Sequence, residues 1–109
     1  MPTMVEGAFA RSGVLISRTS TAPQVCYPGA CTGVDVWGGQ GRPLYFKPRT
    51  GKDFIVVVFT QRSDGAKIAR FEASKSGLGV ARRGRVLLLY YKLSARIAKL
   101  RAALAALHA

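Results

Sequence analysis

The sequence predicts an α+β fold, a small antiparallel β-sheet of about four to six short strands followed by a C-terminal amphipathic α-helix. Short runs rich in β-branched and aromatic residues, among them Val14-Leu15-Ile16, Leu44 to Lys47 and Phe54 to Thr60, alternate with turn-forming residues. After Gly84 the chain carries no further Gly, Pro or acidic residue. In that stretch Val86, Tyr90, Leu93, Ile97, Leu100, Leu104 and Leu107 recur at alternating spacings of four and three, which lays one apolar seam along a helix.

With 109 residues the chain reads as a single domain spanning 1–109, large enough for one modest core. Residues 1–12 hold no sustained period and read as an arm. Val14 to Ile16 opens a first, edge strand that Pro23 closes. In Val25 to Cys31, Pro28-Gly29 favours a type II turn, and a tight hairpin there would set Cys26 opposite Cys31. Three readings of the pair stand: two reduced thiols, a disulfide stapling the turn, or half of a metal site. The metal reading lacks ligands, because His108 is the only histidine and there is no second cysteine pair.

Thr32 to Trp37 alternates weakly as a strand, and the Gly-rich run 38–43 reads as a connector. Leu44 to Lys47 is a strand candidate. Phe54 to Thr60 is apolar on both faces and belongs at the centre of a sheet. Asp64-Gly65 suggests a hairpin turn with Ala66 to Ser74 returning as its partner, and Leu78 to Ala81 adds a short strand. Val86 to Tyr91 suits two readings, one helix over 85–108 or a strand followed by a helix capped at Ser94. Heptad continuity favours the single helix.

Seventeen Lys and Arg against five Asp and Glu give a net charge of +12. The excess is uneven: residues 1–41 are neutral overall, 42–72 carry +4 and 73–109 carry +8. Such a balance points to polyanionic partners. On a single helix Arg85, Lys92, Arg96 and Lys99 would fall within a sector of about 60° beside the seam, a basic stripe about 21 Å long. Aromatic residues interleave with these bases: Tyr45 and Phe46 beside Lys47 and Arg49, Phe71 beside Arg70, Tyr90 and Tyr91 beside Lys92.

Together these features lead us to expect a non-enzymatic nucleic-acid-binding protein that holds single-stranded DNA or RNA mostly by its backbone. Its candidate contacts are Lys47, Arg49, Lys52, Arg70, Arg82, Arg83, Arg85, Lys92, Arg96 and Lys99. A curved antiparallel sheet followed by a helix is similar in outline to the Whirly-type single-strand binders, a likeness of architecture that covers no motif. The alternative is a structural subunit of a ribonucleoprotein or shell, assembled as a homodimer or higher oligomer through the heptad helix.

Catalysis is not expected from one histidine, two neighbouring cysteines and five scattered carboxylates. No cofactor is expected either, since neither a phosphate-binding loop nor a dinucleotide fingerprint can be written through the glycine runs. The longest apolar runs are far too short to span a bilayer.

Overall fold

Phe54–Val58 is buried at all five positions, which only a strand covered on both sides achieves. The computed structural model, which describes residues 2–33, 42–72 and 77–107, places this strand in the middle of a five-stranded sheet. The described elements run α1 (Pro2–Arg11), β1 (Ile16–Thr19), β2 (Gln24–Tyr27), β3 (Ala30–Gly33), β4 (Leu44–Pro48), β5 (Phe54–Val58), α2 (Arg62–Glu72), β6 (Leu78–Arg83), β7 (Val86–Tyr91) and α3 (Ile97–Ala105). In the main sheet the order is β1-β4-β5-β7-β6 with every neighbour antiparallel, and β2 with β3 forms a separate hairpin. The class is therefore α+β with antiparallel sheets and a helix near the C-terminus.

Strand alternation divides the core in two. Phe54, Val56 and Val58 join Val86, Leu88 and Tyr90 on one side, where α1 and α3 cover them through Val5, Phe9, Leu100 and Leu104. Ile55 and Val57 join Leu87 and Leu89 on the other, beneath Ile68 of α2 and Val25 of the hairpin. Each of these large side chains contributes about 1.5 to 3 kcal/mol by leaving water.

Three expectations change. Residues 1–12 are not an arm: Val5, Ala8 and Phe9 sit at helical spacing, are almost wholly buried, and Phe9 stacks on Phe54 at 6.2 Å between ring centroids. Asp64-Gly65 is not a hairpin turn but lies in the first turns of α2, where Asp64 suits the positive helix end. A β-carbon on Gly65 would stand 3.4 Å from the Phe59 ring and 3.6 Å from the Gly84 carbonyl, ordinary contact distances for a helix packed on a sheet.

The third change is in 85–107, where the second of the two readings holds, a strand followed by a helix, with α3 starting after Arg96 instead of being capped at Ser94. Val86–Tyr91 pairs with β5 on one side and β6 on the other, and burial on both faces outweighs its helical spacing. Leu87 and Leu88, the residues a single helix would have left for a partner, are fully buried in the sheet, and Tyr91 stacks on Tyr27. The seam survives only in α3, whose Leu100 and Leu104 are buried within the chain along with Leu107 just beyond it.

In the hairpin, Cys26 lies directly across from Cys31, with α-carbons 4.1 Å apart, and the two are joined as a disulfide. The backbone N–H of Cys26 points away from β3 and donates to the Lys52 carbonyl at 2.6 Å, which ties the hairpin to the approach of β5. Gly29 occupies the left-handed region at φ 89°, as the Pro28-Gly29 turn requires. Of the weak strand over 32–37, residues 32 and 33 belong to β3 and the rest lie outside the described residues, as do 38–41 of the connector and His108.

Candidate functional site

Among the described residues the hairpin packs on β5 and β7, and α2 on β6 and β7, so neither covers the β1–β4 edge of that side of the sheet. Alternation along β4 turns Tyr45 and Lys47 towards it, and Ser17 stands across from Lys47 in the register. Here Lys47, Arg49 and Lys52 border a groove of about 760 Å³. Its other wall is the hairpin, including Pro23, Gln24 and both sulfur-bearing residues Cys26 and Cys31. All three bases are exposed, and Arg49 Nε donates to Ser17 Oγ at 3.2 Å, which steadies its stem; its Nη atoms have no hydrogen-bond partner among the described residues.

Further along the same strand pair lies a second recess of about 490 Å³, lined by Arg18, Arg42 and Tyr45 among others. Among the described residues no carboxylate lines either space. Tyr45 is half-buried; burial pushes its phenol above the ordinary range against the opposing pull of Arg42, so at neutral pH it adds no negative charge. Lys47, Arg49 and Lys52 thus border the groove and Arg18, Arg42 and Tyr45 the recess beyond it, with Arg18, which stands across from Phe46, projecting by alternation from the opposite face to Ser17 and Lys47.

The other expected contacts are scattered. Arg70 is exposed on α2, and Arg82 and Arg83 are exposed at the end of β6. Arg82 Nη1 donates to the Gly84 carbonyl at 2.8 Å, and Arg83 Nε donates to the Leu107 carbonyl, closing the end of the chain after α3 onto the sheet. Arg85 lies in the β6–β7 turn with its carbonyl accepting from Phe59 N–H at 2.9 Å. Lys92 follows β7 and borders a shallow recess of about 470 Å³ with Arg101. Lys99 is exposed on α3.

Arg96 is engaged inside the fold. Its guanidinium pairs with Asp53, with Nε to Oδ2 at 3.1 Å, donates to the Thr50 carbonyl at 2.9 Å and lies 5.0 Å from the centre of the Phe54 ring. Arg85, Lys92, Arg96 and Lys99 therefore do not form a stripe, because the first two are not on a helix. Arg18 and Arg42 escaped sequence reasoning: Arg18 reaches the site only because β1 pairs with β4, and no local pattern announces which strands pair.

Among the described residues no three His, Cys, Asp or Glu side chains gather where a metal ion could be held, and no helix is long and apolar enough to cross a membrane. Comparison with protein-family models, with curated proteins and with solved structures finds no match for this chain.

Proposed function

We propose that this protein binds single-stranded nucleic acid, without catalysis, along the open β1–β4 edge, chiefly through the phosphate backbone. The supporting observation is the groove itself, a space of about 760 Å³ bordered by Lys47, Arg49 and Lys52 and by no carboxylate among the described residues. Residues two apart on a strand are about 6.7 Å apart, so Lys47 and Arg49 offer successive cations to successive phosphates. Tyr45 lines the neighbouring recess, partly packed against the core, and its exposed part is the surface on which a base can stack.

A duplex offers its phosphates along a wide, stiff cylinder, whereas this groove is bounded on one side by the hairpin and suits a thin, pliable chain. Contacts to the phosphate backbone carry no sequence information, so weak sequence preference accompanies the proposal. The assembly reading drew on the helical seam, whose Leu100, Leu104 and Leu107 are already buried within the chain.

Fluorescence anisotropy of a labelled oligothymidylate tests this. Neutralising three to five phosphates predicts that affinity falls by about one to two orders of magnitude between about 50 and 200 mM salt. The variant carrying Lys47→Gln, Arg49→Gln and Lys52→Gln should lose about 2 from the slope of log affinity against log salt. Affinity that ignores salt, or a triple variant that binds as the parent does, overturns the proposal.

A further inference from the structure

The Cys26–Cys31 disulfide sits in the wall of the same groove, facing its cations, and the binding proposal makes no use of it. A structural staple is a poor account of its position. The bond closes a ring of few residues, which removes less freedom from the unfolded chain than a bridge across a long loop does. The hairpin is held by other means as well: Val25 is fully buried, Tyr27 stacks on Tyr91, and Cys26 N–H is bonded to the Lys52 carbonyl. Cys31 is exposed, Cys26 is half-buried behind it, and β3 carries no third strand on its outer side among the described residues.

We propose that this groove is a thiol–disulfide exchange site for small thiols bearing carboxylates, independent of whether nucleic acid also binds there. Lys47, Arg49 and Lys52 attract the carboxylates and raise the local concentration of the anion, and they stabilise thiolate over thiol. The incoming thiolate attacks the exposed Sγ of Cys31. A new sulfur–sulfur bond forms as the Cys31–Cys26 bond breaks, and Cys26 leaves as a thiolate that the groove's cations favour. A second thiolate then attacks the sulfur of the bound small molecule, releasing the symmetrical disulfide and Cys31 as a thiolate. The sum converts two small thiols and the protein disulfide into one small disulfide and a protein dithiol, with the electron pair passing to the protein.

Exchange can be followed on the full chain by acid-quenched mass spectrometry with reduced glutathione, a net anion, and cysteamine, a cation, compared at equal thiolate concentration. Glutathione should react about tenfold faster or more at low salt, and the advantage should collapse at about 1 M salt, where screening acts over about 3 Å. It should also collapse in the Lys47→Gln, Lys52→Gln variant, and peptide mapping should place the first adduct on Cys31. Equal rates for the two thiols, an advantage that survives in the variant, or adducts on Cys26 alone would overturn the proposal. So would a protein whose two thiols stay free in excess oxidised glutathione. Oligonucleotide binding, measured on the same samples, stands or falls separately.

Discussion

Arg96 and Asp53, 43 residues apart in sequence, are locked together at the rim of the sheet, with Arg96 Nε 3.1 Å from Asp53 Oδ2 and Ser94 Oγ donating to the same oxygen at 2.6 Å. The Arg96 N–H in turn donates to Ser94 Oγ at 3.1 Å, so the pair fixes both the start of α3 and the approach to β5. Burial pushes the Asp53 carboxyl up, but hydrogen bonds from Arg96 and Ser94 and the arginine charge outweigh it, and the net shift is downward from 3.8. A carboxyl lowered by folding stabilises the native state above its unfolded value and loses that contribution as pH falls through the folded value. Urea unfolding should therefore show the parent losing stability below about pH 4 by more than Asp53→Asn does. At neutral pH the substitution should cost about 1 to 2 kcal/mol, given a partly exposed pair. Parallel pH profiles for the two proteins would contradict this role.

The N-terminal helix is a structural element, and Phe9 is its anchor. Its ring is fully buried and stacked on Phe54 at an interplanar angle of 8°. Phe9→Ala should lower stability by about 3 to 5 kcal/mol, measured by denaturant titration. If 1–12 were an arm instead, the change would be close to neutral.

Much of this fold could be read from the sequence because its strands announce themselves. Phe54 to Val58 is β-branched or aromatic throughout, and Pro28-Gly29 permits little except a turn. What could not be read depends on neighbours distant in the chain. Val86 to Tyr91 has apolar residues at every position, so it satisfies a helical seam and a strand alike, and only β5 and β6 on either flank decide between them. Asp64-Gly65 resembles a hairpin turn, and only the packing of α2 against β6 and β7 shows that it lies within a helix. The site divides the same way: Lys47, Arg49 and Lys52 are close in sequence and stay together, whereas the supposed stripe required one helix and vanished with it.

Gly79 and Tyr90 form a cross-strand pair in which the ring lies over the glycine, and a β-carbon on Gly79 would stand 2.3 Å from that ring. Arg101 Nη2 donates to the Tyr90 hydroxyl at 2.8 Å, so the ring has little freedom to yield. Gly79→Ala should cost about 1 to 3 kcal/mol through overpacking. In a Tyr90→Ala background the same change should cost much less, and an unchanged penalty in that double-mutant cycle would mean the clash lies elsewhere.

Tyr45 separates a backbone-only groove from one that also stacks bases. Tyr45→Leu keeps apolar bulk beneath the strand but removes the flat face, and should weaken oligothymidylate binding by about 1 to 3 kcal/mol. Tyr45→Phe should bind nearly as the parent does. Anisotropy at fixed salt compares them, and equal affinity for all three would confine recognition to phosphates.

The sharpest test sets the groove against the rest of the charge. Arg49 borders the groove, whereas Arg96 shares its charge with Asp53 and Lys99 stands on α3, which packs on the opposite face of the sheet. If phosphates follow the groove, Arg49→Gln should weaken binding for every sequence and lower the salt slope by about 0.7, the increment for one phosphate of a single strand. Lys99→Gln should change binding only through long-range attraction, which salt at about 0.15 M screens within about 8 Å. Arg96→Gln should lower stability, by breaking the pair with Asp53, while leaving the slope nearly intact. Measuring affinity against salt and unfolding free energy for all three variants distinguishes the cases. Equal losses of affinity at the three positions would mean that +12 acts as diffuse charge and that the groove is no site.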